Sequence, residues 1–408
     1  MSDKHTETPA RSRTMMILVA SPLTENIYRR IGAVELAMHF NIIVADCLGW
    51  LVRSDRHPQY IEMESASICK VGSQKAFSTL IRDIAPDFVL DFVGRGQYTR
   101  FFQVECNKIN ARYITHHLVP VPTGSSTTSP WGSLFFSPVQ FAHKAFGYLS
   151  RRMTNLHPVT PDVSLLAGRK SENPWVLSAR KIIYTATPTY FELQNTLKNW
   201  NANSSDRSEM PKGEYVLFID DCLALSFDFQ LGHFAHIIET KSYFDLLNGF
   251  FDQLEQMTGL PVVIAGHPNG LQYPGYAALF NGRRFYNGNT AWLSCGCVCA
   301  LTHYSSAINF PVILRKPLAL LTFDRLKAAQ QGRVLDVIAS ALHRPILNLS
   351  QKFEDVSTLK GLLVPAKEAA YASFEADYIV NTSEPGSDPF ENLAVYLSSL
   401  PVATHLPL

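Results

Sequence analysis

Short apolar runs rich in Val, Ile and Leu recur along the chain. Each ends in a small polar or glycine-containing cluster, and most are followed by residues at helical spacing. The first run covers 15–20 and turns at Ser21-Pro22-Leu23-Thr24. Residues 26–40 then place Ile27, Ile31, Val34 and Met38 on one side of a predicted helix, and 41–45 form the next run. A strand, a helix and a strand in that order make a βαβ unit, for which parallel pairing is the economical arrangement. The pattern continues with a helix over 74–84, a strand over 88–93, a helix near 101–109 and a strand over 112–116. Further strands follow over 163–170 and 181–186, the last of them ending in a loop at 187–191.

The second half is more regular. A strand over 214–219 runs into Asp220-Asp221. An amphipathic helix over 242–257, with Ser242 as its N-cap and Gly259 at its end, leads to a strand over 260–265 that delivers Gly266-His267-Pro268. A short edge strand or turn over 283–286 precedes Asn289-Thr290 at the start of a helix, and a strand over 298–302 ends at His303-Tyr304-Ser305-Ser306. Residues 308–314 turn helical, with Pro311 in the tolerated first turn. A strand over 317–323, a helix over 325–342, a strand over 345–349 and helices over 369–374 and 389–400 complete the pattern. The last helix is a candidate to pack back across the first half.

At 408 residues the chain is too long for one ordinary core and comfortable for two α/β domains. The polar, aperiodic stretch 199–212 is the natural boundary. This gives a polar tail over 1–14, a first Rossmann-like domain over 15–205, a second over 206–385 and a C-terminal helix and tail over 386–408. A net charge of +1 gives no whole-chain reason to expect a nucleic-acid partner. No apolar run reaches the roughly 20 residues that span a bilayer. Seven cysteines without a secretion signal point to free thiols and a cytoplasmic location. Cys295, Cys297 and Cys299 have the wrong spacing for a zinc site; on a strand they share one face and pack as small hydrophobes. Residues 131–148 are aromatic-rich and closed by Arg151-Arg152. They fit either a core helix with a basic end or a contact with a membrane surface or lipid-linked acceptor.

The candidate chemistry lies in the polar clusters at strand ends, where open α/β sheets bind ligands. Two carboxylates at Asp220-Asp221 repel each other. That raises one pKa and suits a general base, although an Asp there also serves as a cap or loop anchor. Gly266 permits a tight turn or close ligand approach, and His267 can donate to a phosphoryl oxygen. Ser305 and Ser306 precede a helix, so their hydroxyls and the free backbone N–H groups can hold phosphate or simply cap the helix. With Pro268, Thr290 and His303 they complete the expected donor pocket. Gly94-Arg95-Gly96 lacks the rest of a dinucleotide fingerprint, and His116-His117 lacks a third metal ligand.

The order Asp220-Asp221, His267-Pro268, Ser305-Ser306 resembles bacterial surface-polysaccharide glycosyltransferases of the two-Rossmann-domain (GT-B) type. In particular it is similar to the sialyltransferase, polysialyltransferase and capsular Kdo transferase group. The resemblance covers 215–323; the acidic motif of that group usually ends in Gly, where Cys222 stands here. It implies two domains facing a cleft, and an acidic base, Asp220 or Asp221, acting on the acceptor hydroxyl. It also implies a donor phosphate held by His267, Ser305 and Ser306. The implied substrates are a nucleotide sugar, CMP-activated by preference, and a glycan or lipid-linked acceptor, with no metal or other cofactor. The implied place of work is the cytoplasm, peripheral to the inner face of the membrane. A nucleotide-sugar 2-epimerase and a non-catalytic nucleotide-sugar-binding protein are the alternatives.

Overall fold

The computed structural model describes residues 13–51, 66–119, 160–201, 210–225, 238–351 and 361–401, apart from positions 22, 95, 173, 383 and 384. The aromatic stretch 131–148, the loop before it and most of the polar boundary stretch lie outside the described residues.

The first domain carries seven parallel strands: β1 (Thr14–Val19), β2 (Asn41–Asp46), β3 (Ala66–Lys70), β4 (Phe88–Asp91), β5 (Arg112–His117), β6 (Val163–Ala167) and β7 (Lys181–Thr185). They lie in the order β3-β2-β1-β4-β5-β6-β7. Their connections include helices α1 (Glu25–Arg30), α2 (Ala33–Ala37), α3 (Gln74–Ile84) and α4 (Gly96–Lys108). The single helix expected over 26–40 is two, because Gly32 takes a left-handed φ of +67° and its bare Cα lies under the ring of Phe390. Strand β3, with its mixed burial, carries too weak an alternation to be read from sequence. The expected loop at 187–191 is instead the start of helix α5 (Pro188–Asn201), with proline at its first position, where no N–H is needed.

The second domain repeats the plan with six parallel strands: β8 (Val216–Ile219), β9 (Val262–Gly266), β10 (Phe285–Asn287), β11 (Cys299–Thr302), β12 (Leu318–Thr322) and β13 (Ile346–Asn348). Their order is β10-β9-β8-β11-β12-β13. Its helices include α6 (Thr240–Thr258), α7 (Thr290–Gly296), α8 (Asn309–Ile313), α9 (Gln330–Leu342), preceded by a short helix at Asp324–Ala328, and α10 (Glu368–Tyr378); α11 (Pro389–Ser398) follows them. Glu239 rather than Ser242 caps α6, its carboxylate accepting the amides of Lys241 and Ser242 at 3.1 and 2.7 Å. Central strands β8, β9, β11 and β12 are buried at every position, which is why they read as continuous apolar runs. The three closely spaced cysteines do not share a strand: Cys295 is in α7, Cys297 caps it and Cys299 is in β11. Burial pushes the thiols of Cys297 and Cys299 up to about 12, so both stay protonated.

The chain returns to the first domain at its end. Phe390, Leu393, Ala394 and Leu397 of α11 join the core built from β1, β2, β4 and β6. No helix among the described residues is long and apolar enough to cross a membrane.

Candidate functional site

In the second sheet the strand order reverses direction between β8 and β11, which are hydrogen-bonded neighbours whose onward connections leave on opposite sides. The loops after such a pair diverge and open a crevice at the carboxyl ends of the strands. Asp220-Asp221 follow β8 and His303 to Ser306 follow β11, so topology brings these two clusters together. β9 ends at Gly266, and His267-Pro268 follow it; β9 is the neighbour of β8 on the other side.

The two carboxylates are held very differently. Asp220 is 3% exposed. Its Oδ1 accepts the Cys222 amide at 2.9 Å, and its Oδ2 accepts the His267 amide at 3.1 Å and the Tyr276 hydroxyl at 2.8 Å. Burial raises its pKa to about 6 despite these donors. Asp221 accepts the Tyr304 amide on Oδ2 at 3.1 Å and the Ser305 hydroxyl bonds to it, while its Oδ1 is buried without a hydrogen-bond partner among the described residues. Burial, and then the charge of Asp220, lift its pKa to about 7. The pair thus contains one carboxylate with both oxygens occupied and one with an unused oxygen, able to change protonation near neutrality.

Cys222 completes this turn with a φ of +50°, the left-handed region that favours glycine. The Asp-Asp-Cys sequence therefore keeps the backbone shape that a glycine in third place would adopt readily, and buries the thiol.

His267 is partly buried and caps the short 3-10 turn Pro268–Gln272, its Nδ1 accepting the Asn269 amide at 3.1 Å. An accepting Nδ1 places the proton of the neutral ring on Nε2, which becomes the donor. Pro268 is the first residue of the turn, where its lack of an N–H costs nothing. At Gly266 a Cβ would lie 2.0 Å from the Phe285 ring, so the bare Cα also makes room for that side chain.

Ser305 caps the 3-10 turn Ser306–Ile308, accepting the Ala307 amide at 3.2 Å. Ser306 is exposed, and α8 follows with only five residues. The helix expected over 308–314 is thus a 3-10 turn followed by the five-residue α8, and the hydroxyls and amides at its start count for more than its dipole. Thr290 is the partly buried first residue of α7, just beyond the end of β10.

His303 does not join the pocket. It is fully buried, Nδ1 donates to the Leu321 carbonyl at 2.8 Å, and Nε2 accepts the Tyr243 hydroxyl at 3.0 Å. Rings of Phe218, Tyr243 and Phe323 surround it, and burial lowers its pKa to about 4. It is a neutral core residue beneath the site.

Sequence reasoning missed Tyr276, Tyr243 and Asn287. The first two sit in apolar contexts that read as core. Asn287 ends β10 opposite Gly266, and its Oδ1 is buried without a partner among the described residues. In the first domain His116 stacks on Phe92 with ring centroids 3.9 Å apart, and burial lowers its pKa to about 3. No group of three or more His, Cys, Asp or Glu side chains able to hold a metal ion occurs among the described residues.

No protein-family model matches the chain, and no curated protein matches it. Solved structures do. MurG from Acinetobacter baumannii is 9% identical with a TM-score of 0.51, over 95% of this chain and 100% of that one. The spinosyn forosaminyltransferase SpnP is 13% identical with a TM-score of 0.51, over 95% and 99%. A variant of the wall teichoic acid polymerase TagF is 14% identical with a TM-score of 0.50, over 94% and 87%. At these identities the likeness is one of fold: two Rossmann-like domains in the GT-B arrangement.

Proposed function

We propose that the chain is a nucleotide-sugar-dependent glycosyltransferase that uses Asp221 as general base. The observation that carries this reading is the unpaired Oδ1 of Asp221, on a carboxylate raised to about 7, at the switch point of the second sheet. His267 and Ser306 stand on the adjoining turns. An acceptor hydroxyl gives its proton to Asp221 as its oxygen bonds to the anomeric carbon, while the bond from that carbon to the donor phosphate oxygen breaks. The phosphate leaves with the electron pair, and donors on His267 Nε2 and Ser306 meet its developing charge. Direct displacement inverts the anomeric centre.

The resemblance carried by the acidic pair, His267-Pro268 and Ser305-Ser306 makes a CMP-activated acidic sugar the preferred donor. It makes a glycan or lipid-linked acceptor the partner, met at the inner face of the membrane. The fold shared with MurG, SpnP and TagF supports the transferase reading, since two facing domains separate donor from acceptor.

The test is a thermal-shift series with CMP, UDP, GDP and dTDP. Stabilisation by one nucleotide that is lost in His267→Ala and reduced in Ser306→Ala supports the pocket. No shift with any of the four would sink it. Incubation with the matching nucleotide sugar and acceptor then releases free nucleotide if transfer occurs, whereas an epimerase keeps sugar and nucleotide joined. Asp221→Asn is expected to slow transfer by about 10²–10⁴-fold, the usual range for a lost general base.

A further inference from the structure

We infer that Tyr276 and Asp220 form a clamp that fixes the His267 turn against the Asp221 turn, making Tyr276 a positioning residue for the reaction proposed above. The inference rests on that reading for its consequence, and on geometry alone for the clamp. Three donors from three separate stretches converge on one carboxylate: the Cys222 amide after β8, the His267 amide after β9, and the hydroxyl of Tyr276 in the 3-10 segment Tyr276–Phe280. Asp220 and Tyr276 are 3% and 4% exposed, so water competes little for these bonds.

Tyr276 also packs against the middle of the His267 turn. A Cβ on Gly270 would lie 2.5 Å from the Tyr276 ring, so this turn is packed directly on the ring while the hydroxyl reaches Asp220. The ring itself is held edge-on by Phe244, Phe280 and Phe285, at centroid distances of 6.1, 5.6 and 6.1 Å. The His267-bearing turn is thus fixed at its first amide by Asp220 and at Gly270 by the ring that orients Asp220.

The three donors favour the ionised form of this carboxylate, while burial favours the protonated one. The groups facing it are Asp221 and Cys222 on its own turn, Tyr276 from the 3-10 segment, Tyr243 from α6 and the His267 amide. None of these side chains brings a positive charge to it, so the anion is held by N–H and O–H donors. Removing the Tyr276 hydroxyl weakens the hold on the ionised form and raises the pH at which Asp220 takes a proton.

The experiment is NMR of the full chain labelled with ¹⁵N-histidine, comparing wild type with Tyr276→Phe from pH 5 to 8. The His267 amide is expected to report ionisation of Asp220 with a midpoint near the value of about 6 set by burial. In Tyr276→Phe that midpoint moves up by about one pH unit, the tenfold effect of one lost hydrogen bond to a buried charge. The nucleotide that stabilises the wild type is expected to bind the variant about tenfold more weakly. A merely structural role lowers the melting temperature and leaves the titration midpoint in place; an unmoved midpoint overturns the clamp. If Tyr276→Phe fails to fold, Asp220→Asn decides: loss of the His267 amide titration near pH 6 supports the clamp and its persistence refutes it. If none of CMP, UDP, GDP and dTDP binds the wild type, the donor-site reading falls while the amide titration still judges the clamp.

Discussion

An aspartate at the carboxyl end of a strand is an ambiguous signal in this chain. Asp46, Asp91 and Asp220 each accept the amide two residues on, from Leu48 at 2.9 Å, Val93 at 2.7 Å and Cys222 at 2.9 Å. Each closes a local turn, a sufficient structural reason for an Asp at that place. Asp221 is set apart by an oxygen that no donor among the described residues satisfies. Because its pKa is about 7 in the folded chain and near 3.8 as an isolated group, the folded state binds more protons between those values. Stability due to this group therefore rises as pH falls through 7 toward 4, and its ionised form costs stability above pH 7. Asp221→Asn is expected to stabilise the protein by about 2 kcal/mol at pH 8, an allowance below the full linkage value for the new amide's own burial. The gain should fade by pH 4. Denaturant titrations at both pH values, beside the transfer assay, check whether the same substitution removes activity and adds stability. His303 has the opposite sign. Its folded pKa of about 4 lies below the ordinary 6.5, so the unfolded chain takes the proton first and stability falls as pH drops through that window.

At the scale of elements, the turn after β8 and the end of β9 show how backbone shape is bought with particular residues. Cys222 holds a left-handed φ of +50° with its side chain fully buried. Cys222→Gly removes strain of about 1 kcal/mol and loses a similar amount of apolar burial, so near-neutral stability and retained transfer are expected. Cys222→Val, β-branched in that conformation, should cost more than about 2 kcal/mol. Gly266→Ala sets a Cβ 2.0 Å from the Phe285 ring and should lower the melting temperature by several degrees, with Phe285→Leu restoring part of the loss. A Gly266→Ala protein as stable as wild type would show that β10 shifts freely. These cases also mark what could be read in advance. The buried strands β8, β9, β11 and β12 were legible as continuous apolar runs, and with them the places of Asp220-Asp221, His267 and Ser305-Ser306. The difference between the two aspartates was not, because it depends on amides of Tyr304 and His267 brought from other strands. Tyr276 was invisible for a related reason: it lies in a 3-10 segment without a period, and a tyrosine among phenylalanines reads as core. His303 looked like a ligand because the sequence places it at a strand end without showing that Tyr243 and the Leu321 carbonyl already take both ring nitrogens.

For the whole molecule, what matters is how the two domains are joined, since the proposed transfer needs a donor on one and an acceptor on the other to meet. The chain passes into the second domain through α5 and returns to the first after α10, and the two passages are stitched together. Ala186 bridges Val380, the Thr187 amide donates to the Ile379 carbonyl at 2.9 Å, and Arg169 pairs with Asp377 at 2.7 Å. Beyond this joint, α11 is seated in the first core by Phe390, Leu393 and Leu397, and Arg13 donates to the Leu397 carbonyl near its end and to the Leu400 carbonyl just past it, at 2.7 and 2.6 Å. Removing one such anchor, as in Phe390→Ala, should cost about 3–5 kcal/mol although the residue is far from the site. Gly168 is a tight point of the joint. Its φ is +74°, and a Cβ there would stand 2.5 Å from the Asp377 carbonyl oxygen and 2.7 Å from Tyr378 Cα. Backbone cannot yield as a side-chain tip does, so Gly168→Ala must push the end of α10 away from the turn after β6 and loosen the Ala186–Val380 pairing. Calorimetry is expected to show one unfolding transition for the wild type and two for Gly168→Ala. Only the second-domain transition should rise with the nucleotide that stabilises the wild type, because that domain holds His267 and Ser306. Transfer should fall more than nucleotide affinity, since binding needs one domain and reaction needs both. A Gly168→Ala protein that melts in one step at the wild-type temperature would show that the joint lies elsewhere.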